Sequence, residues 1–480
     1  MTDIIIQKKN EVYLEVAAEP HVLRELSEYF TFTVENSKWM PTARHRQWNG
    51  DIHLFDNRNN TIYSGLLYRV CDWAEKVGYT WAFKDNKFYG LPHEEDEKIS
   101  ETGVRMFMKN IMKGLEPRDY QVTAVYEALR FNRKTILSPT ASGKSAIIYS
   151  ITRYHVANNR RVLIIVPSTS LVEQMTKDFE DYGWDTDEHV HRIYSGKEHN
   201  TNSDVVVSTW QSLTDHTSKY FDQFDSVIVD EVHGAKAKCL VKILKNCRDI
   251  KYRYGLTGTL DGIEVNKLVI EGLFGPVYRV VKTKELMEAG YLASLDVQVI
   301  NLKHEYKTFG SYNDEIEYLI ECESRNRFLA NLASDLSGNN LIFFTRVDTH
   351  GVPLCEMIRE HTDRPVYLIH GGVDVEMREQ IRSIVETTED AIIVASYGTM
   401  STGVNIKRLN NVIFGSPSKS RIRVLQSIGR GLRKAHDKNT VKLYDISDDF
   451  GYMNFTQKHM EERVKMYIQE GFEYQIFDVV

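Results

Sequence analysis

Two carboxylates in direct succession, Asp230 and Glu231, close the apolar run Ser226–Val229. Well upstream, Ser138–Ser145 reads Ser-Pro-Thr-Ala-Ser-Gly-Lys-Ser, between a β-branched run and the helical stretch Ala146–Tyr154. In that setting, backbone N–H groups of a loop and a helix N-terminus can hold an anion. Thr140, Ala141, Ser142 and Gly143 would form the cradle. Lys144 would reach the β- and γ-phosphates of ATP, and the Ser145 hydroxyl would ligate Mg2+. Asp230 would hold the same ion, directly or through a water, and Glu231 would orient and deprotonate an attacking water. A lone glycine-lysine-serine occurs by chance, and one acidic residue after a strand is commonly a solvated turn. Paired acids at a strand's carboxyl end lie where open α/β sheets bind ligands. The interval back to the loop leaves room for two or three βα units.

Other segments fit the same chemistry. Arg118, Tyr120 and Gln121 stand upstream of the loop; an aromatic and an amide there could stack on and hydrogen-bond an adenine. A helix start with Pro117 near its first position explains the segment equally well. In the second half, Gln426–Arg433 reads Gln-Ser-Ile-Gly-Arg-Gly-Leu-Arg. Arg430 and Arg433 share a helical face and could clamp a γ-phosphate as arginine fingers do; a basic surface helix is the plain alternative. Gly429 and Gly431 weaken a helix, which points to close backbone approach. Ser401–Asn405, with Gly403 at its centre, is a glycine turn after a buried strand.

These residues need a scaffold. A chain of 480 residues implies two to four domains. No run of 18 apolar residues exists, so no membrane span is expected. The alternating start MTDIIIQKKNEVYLEV lacks a signal-peptide pattern. Five scattered cysteines form no CxxC pair, which fits a reduced cytosolic setting without zinc or disulfides. The net charge of −7 does not by itself point to nucleic acid, whose contact face is basic; local basic stripes can coexist with it.

Residues 1–92 read as a small α+β unit. Its strands fall near Ile4–Ile6, Val12–Val16, Phe32–Val34 and Ile52–Phe55, its helices at His21–Tyr29 and Leu66–Val77. Lys38, Arg44, His45 and Arg46 cluster there with Trp39 and Trp48. Such a mixture can contact phosphates and bases, or the tryptophans can fill a small core. The acidic stretch His93–Gly103 reads as a linker. Beyond it, strands at Thr135–Leu137, Val162–Val166, Val205–Ser208, Ser226–Val229 and Arg253–Leu256 alternate with helices. After the charged stretch Lys303–Arg327 a second set follows: Leu341–Phe344, Val366–Ile369, Ala391–Ala395, Asn411–Phe414 and Val441–Asp445. The expected fold class is α/β: two doubly wound parallel-sheet domains in tandem, at 93–292 and 293–480, behind the accessory unit at 1–92. Asn454–Glu470 reads as a final amphipathic helix.

Taken in order, these motifs resemble the superfamily 2 helicases. SPTASGKS is similar to motif I, VPSTSLVEQ (Val166–Gln174) to Ia, STWQ (Ser208–Gln211) to the DNA-contact motif after it, DEVH (Asp230–His233) to II and Thr257–Thr259 to III. FFTR (Phe343–Arg346) is similar to motif IV, SYGTMSTGVN (Ser396–Asn405) to V and QSIGRGLR to VI. The resemblance implies two RecA-like lobes, with Gly403 and Gln426 joining the ATP contacts. It also implies that His233, Thr257 and Thr259 couple hydrolysis to movement. Thr169, Ser170, Thr209, Arg346 and Thr399 would grip DNA phosphates without reading sequence. Trp210 could stack on a base or pack inside the lobe.

Leu273–Ala293 resembles the inter-lobe passage of translocases related to the XPB and UvsW groups. Pro41–Asp56, with Arg44 and Arg46, resembles the accessory domain of the UvsW-type helicases of large tailed phages. That resemblance implies ATP- and Mg2+-dependent remodelling of branched DNA, by fork regression and junction migration, in recombination, repair and replication. Location in the host cytoplasm and a monomer are the corresponding expectations. An RNA helicase or remover of RNA–DNA hybrids, and a double-strand translocase that does not unwind, are the alternatives.

Overall fold

Val162–Val166, Val205–Thr209 and Ser226–Asp230 are buried at every position, as strands of a parallel sheet covered on both faces must be. The computed structural model describes residues 2–33, 49–84, 98–194, 198–199, 201–236, 238–401, 406, 408–432 and 439–480. Contacts divide the chain into two compact units. One is Met1–Ser138 with Gly143–Val280; the other is Pro139–Ser142 with Val281–Val480.

In the first unit, seven parallel strands lie in the order Val190–Ile193, Val205–Thr209, Val162–Val166, Ser226–Asp230, Tyr252–Thr257, Arg133–Leu137, Val277–Arg279. Because they share one direction, their carboxyl ends line one edge. That edge carries the loop after Leu137, the acids after Val229 and the turn at Thr257–Thr259.

Ahead of this sheet stands a five-stranded one in the order Phe55–Asp56, Thr61–Tyr63, Tyr13–Ala18, Ile4–Lys8, Trp81–Phe83. Helices Pro20–Tyr29 and Leu67–Val77 accompany it. The accessory segment does not keep its core to itself. Ile4, Leu14, Val70 and Trp73 belong to one buried cluster with Leu268, Ile270 and Phe274 of the helix Glu264–Phe274. Two glycines make the approach possible. A Cβ on Gly272 would come within 2.8 Å of the Tyr63 ring, and one on Gly65 would strike the carbonyl oxygens of Glu271 and Gly272.

Polar groups lock the same seam. The buried Glu271 accepts from the Tyr68 hydroxyl, and from Arg69 Nη2 at 3.1 Å. Arg133 Nη2 donates to Glu11 Oε2 at 2.9 Å and to the Glu11 carbonyl at 3.1 Å.

The second unit holds another parallel sheet, in the order Val366–Ile369, Ile392–Ser396, Asn340–Phe344, Asn411–Phe414, Thr440–Asp449, Ser294–Lys303, Tyr474–Val479. Buried ions tie the helix Phe455–Glu470 to it. Arg463 meets Asp445 at 2.7 Å, and the Tyr467 hydroxyl donates to the same carboxylate at 2.8 Å. Glu315 caps the helix start, accepting from the N–H groups of Phe455 at 2.9 Å and Thr456 at 2.8 Å.

Several local expectations change. Ile52–Phe55 is two short strands. Asp51–His53 pairs with Thr31–Thr33, while Phe55–Asp56 joins the five-stranded sheet, with buried Leu54 at the corner. The expected linker ends early, because Glu101–Ile111 is a helix whose cap, Ser100 Oγ, accepts from the Gly103 N–H at 3.1 Å; 93–97 lie outside the described residues. The second sheet begins at Ser294, before the charged stretch. The Phe455–Glu470 helix is not final, since Tyr474–Val479 follows and pairs with Ser294–Lys303.

Candidate active site

The phosphate loop owes its shape to two left-handed residues, Ala141 (φ +65°) and Gly143 (φ +83°). Between them Ser142 is buried, its hydroxyl donating to the Pro139 carbonyl at 2.6 Å. Alternating hand turns successive N–H groups toward one side, an anion-binding concavity. Gly143 also precedes the helix Lys144–Ala157, and no side chain caps it. The first-turn N–H groups at Lys144 and Ser145 are thus left for a ligand. A Cβ on Gly143 would collide with the Gln121 amide. Gln121 is in turn fixed, since its Oε1 accepts from the Arg118 N–H at 3.1 Å. The Arg118 guanidinium donates to the Tyr120 hydroxyl at 2.7 Å. The structure thus brings Gln121 to the phosphate loop and pairs Arg118 with Tyr120.

At the end of its strand the chain turns sharply through Glu231, which adopts φ +56°. A glutamate in that region stores strain. The turn puts Glu231 Oε1 3.4 Å from Lys144 Nζ. Glu231 Oε2 lies 3.2 Å from His233 Nδ1, yet it is buried without a well-formed hydrogen bond. His233 Nδ1 is also 3.1 Å from Thr257 Oγ1. The Thr257 hydroxyl donates to the Thr259 carbonyl at 3.0 Å and accepts from the Thr259 N–H at 3.3 Å. With the Thr257 hydroxyl turned to the Thr259 carbonyl, a proton on His233 Nδ1 would have both Thr257 Oγ1 and Glu231 Oε2 as acceptors within 3.2 Å. Lys144, Glu231, His233, Thr257 and Thr259 therefore form one relay across three strand ends.

The two acids are electrostatically unequal. Burial, then the neighbouring Glu231 charge, pushes the Asp230 carboxyl up to about 7. Burial would raise Glu231 too, but Lys144 and His233 outweigh it and hold that carboxyl well below its usual range. Glu231 thus keeps its charge, facing Lys144 at 3.4 Å.

These residues suit a magnesium nucleotide. The left-handed Ala141 and Gly143 turn the loop's N–H groups to one side, the buried Glu231 Oε2 has no well-formed hydrogen bond, and Lys144 at the loop's end faces Glu231 at 3.4 Å.

Of the residues expected to grip DNA, Thr169 opens the helix Thr169–Asp181 and is exposed. Ser170 Oγ lies 3.4 Å from Ser168 Oγ. Thr209 Oγ1 lies 3.0 Å from Ser212 Oγ. The half-buried Trp210 ring packs against Gly234, where a Cβ would meet it at 2.8 Å.

In the second unit, Arg346 Nη1 pairs with Glu317 at 3.2 Å. Thr399 is buried, with Oγ1 2.8 Å from Ser396 Oγ. The helix Arg421–Gly431 carries Gln426, which is buried. A Cβ on Gly431 would stand 2.9 Å from Val441 Cγ1 and 3.1 Å from Val412 Cγ2, the close approach its glycine allows. Arg44, Arg46, Gly403, Arg433 and the Arg430 side chain lie outside the described residues. Nothing in residue type or spacing signals the Glu271 seam or the left-handed turn at Glu231, because both depend on tertiary placement.

Two all-parallel sheets in succession, with a phosphate loop and paired acids at the carboxyl edge of the first, define a helicase-type motor ATPase. Residues 114–262 match the family model for the type III restriction enzyme res subunit, and 324–435 match the helicase conserved C-terminal domain. Residues 3–84 match the N-terminal domain of the DNA helicase UvsW. The chain is 30% identical to the ATP-dependent DNA helicase UvsW of Enterobacteria phage T4, over 98% of each chain. The crystal structure of T4 UvsW superposes with a TM-score of 0.54 at 28% identity, covering 100% of this chain and 99% of that one. The DNA-bound restriction-modification enzyme LlaBIII shares the fold at 15% identity, with a TM-score of 0.57 over 76% of this chain and 31% of that one. The chain belongs to the UvsW helicase family.

Proposed function

We propose that this chain is an ATP-dependent DNA helicase that unwinds and remodels branched DNA, regressing forks and migrating junctions in recombination, repair and replication. The observation that carries the reading is the relay from Lys144 through Glu231 and His233 to Thr257 and Thr259. It stands in a chain that aligns with T4 UvsW over 98% of its length. The parts follow the sequence division: an accessory DNA-binding segment at 1–92 with Arg44 and Arg46, an ATP-binding domain at 93–292 and a second motor domain at 293–480.

Thr140, Ala141, Ser142 and Gly143 would cradle the phosphates, and Arg118, Tyr120 and Gln121 would meet the base. Ser145 and Asp230 would hold Mg2+, which neutralises charge developing on the phosphates. Arrival of ATP draws Lys144 from Glu231 toward the β- and γ-phosphates. The freed carboxylate then takes the proton of the attacking water. His233 touches both Glu231 and Thr257, so a change in Glu231's partner is felt at Thr257–Thr259.

From the second domain, Gly403 and Gln426 would contact ATP, and Arg430 and Arg433 would stabilise the γ-phosphoryl charge. Contacts of that kind would form only with ATP bound and would give the nucleotide a differential hold on a closed state. Thr169, Ser170, Thr209, Trp210, Arg346 and Thr399 would hold the DNA strand, mainly through phosphates.

The test is ATP turnover and strand displacement on linear, forked and four-way DNA, with matched RNA–DNA hybrids alongside. Stimulation and displacement should be greatest on forks and four-way junctions. Preference for the hybrids would replace this reading with an RNA–DNA helicase. Turnover on linear duplex without displacement would replace it with a translocase.

A further inference from the structure

Away from the ATP edge, the first unit has a groove of about 700 Å³ between the accessory sheet and the helix Lys238–Asn246. Lys9 and Arg58 line it from the accessory side, Lys245 and Arg248 from the other. Among the described residues, none of these four has a carboxylate within ion-pair distance. Among the described residues the one acid lining the groove, Asp56, is already engaged: Oδ1 accepts from the Arg58 N–H at 2.9 Å and Oδ2 from the Asn59 amide at 2.9 Å. In a chain of net charge −7, this is a local cationic surface, and its natural ligand is an anion.

The groove is held open by fixed contacts. The Glu11 N–H donates to the Arg248 carbonyl at 2.9 Å, and Asn10 Oδ1 accepts from the N–H groups of Val12 at 2.8 Å and Tyr13 at 2.9 Å. Tyr13 and Tyr63 stack face to face with centroids 5.5 Å apart, and the Lys245 ammonium sits 5.7 Å from the Tyr63 ring. The stack takes up one face of each ring, and the cations and amides around it are groups that hold phosphate. A second depression of about 570 Å³ shares His53 and Asn57 with the groove and is lined by one cation, Arg24, and one acid, Glu28. Four cations from two sides of one groove outnumber the charges of a single phosphate, which suits a run of phosphates rather than one.

Its place in the sheet separates it from the motor's own track. Arg248 precedes the amino end of Tyr252–Thr257, whereas Thr257 and Glu231 stand at carboxyl ends. At about 3.3 Å per residue, a strand of this length puts roughly 20 Å between the two edges.

We propose that this groove holds the phosphodiester backbone of a second, duplex arm of the DNA while the motor motifs grip another strand. The proposal deepens the branched-DNA reading above and rests on it. The contacts are cations and amides to phosphate, so binding is independent of sequence.

The test uses the full chain and the variant Lys9→Gln/Arg58→Gln/Lys245→Gln/Arg248→Gln. Fluorescence anisotropy at several salt concentrations compares a four-way junction, a plain duplex and a single strand. The variant should bind the junction about tenfold or more weakly at low salt, with a salt slope shallower by about 0.9 for each phosphate that the groove no longer neutralises. Single-strand affinity and single-strand-stimulated ATP turnover should hold. Because Lys245 also touches the tyrosines, the exposed pair Lys9→Gln/Arg58→Gln is measured separately and should give part of the same change. Unchanged junction affinity and slope in both variants overturn the groove; so does an equal loss on single strand. A wild-type chain that binds junction and single strand alike refutes the branched-substrate reading instead, and the slope on plain duplex then decides the groove independently.

Discussion

Exchanging one oxygen for nitrogen at Glu231 separates its chemistry from its shape. Glutamine tolerates the left-handed turn at φ +56° no better and no worse than glutamate, so the strand end and the His233–Thr257 contact should persist in Glu231→Gln. Two properties disappear. The amide cannot take a proton from water, and positioned general bases contribute about 10²–10⁴ in rate, or about 3–5 kcal/mol of barrier. Lys144 also loses its partner at 3.4 Å. At an effective dielectric near 20, that pair attracts by about 5 kcal/mol before desolvation is subtracted. If about 1 kcal/mol survives as net coupling, ATP no longer competes against it and binds about fivefold tighter. The assay pairs single-turnover phosphate release at saturating DNA with equilibrium binding of a fluorescent ATP analogue. Hydrolysis should fall by at least a hundredfold while affinity holds or rises. If affinity vanishes with activity, Glu231 is a binding residue. If release stays near wild type, another group activates the water.

Lys144→Ala should abolish ATP turnover, because it removes the main cation facing the β- and γ-phosphates; near-normal turnover in a steady-state assay would dismiss the phosphate-loop assignment. Arg430→Ala or Arg433→Ala should cut turnover by roughly a thousandfold if either acts as a finger, with ATP binding intact by titration. Loss confined to DNA affinity would move that helix to the nucleic-acid track. Glu271→Ala leaves Arg69 and the Tyr68 hydroxyl without their buried acceptor, and breaking such a pair destabilises by about 3–5 kcal/mol. A thermal melt should show the first unit unfolding several degrees earlier, and an unchanged midpoint would mean the seam rests on its apolar contacts alone.

Much of this was legible because it depends on period and order. Buried parallel strands such as Val162–Val166 and Asn411–Phe414 are short apolar or β-branched runs, and they fall at the expected residues. Position along such a run also told where its carboxyl end lies, so the loop and the acids could be placed on a common edge. What escaped obeys other rules. Val190–Ile193, Val277–Arg279, Trp81–Phe83 and Tyr474–Val479 are each the outermost strand of a sheet. With a partner on one side only and partial exposure, they carry mixed residues that read as loop. Ser294–Lys303 is internal, yet Asp296, Gln298 and Asn301 interrupt its apolar pattern; Asn301 finds Asp478 at 2.8 Å only once Tyr474–Val479 has paired beside it.

The accessory segment shows the limit most clearly. From sequence, residues 1–92 form a separable α+β piece, because local pattern gives each element a period but not a partner. In the structure its apolar face and that of Glu264–Phe274 are one core, joined by contacts between residues some two hundred positions apart, such as Arg69 with Glu271. A truncation that removes the segment would therefore strip Leu268, Ile270 and Phe274 of their cover and confound weakened DNA binding with weakened stability. Charge substitutions that leave this core intact, at Lys9, Arg58, Lys245 and Arg248, are the cleaner perturbation. They alter the electrostatics of the groove without uncovering the apolar seam, so any change in fork affinity at constant melting temperature belongs to recognition rather than folding.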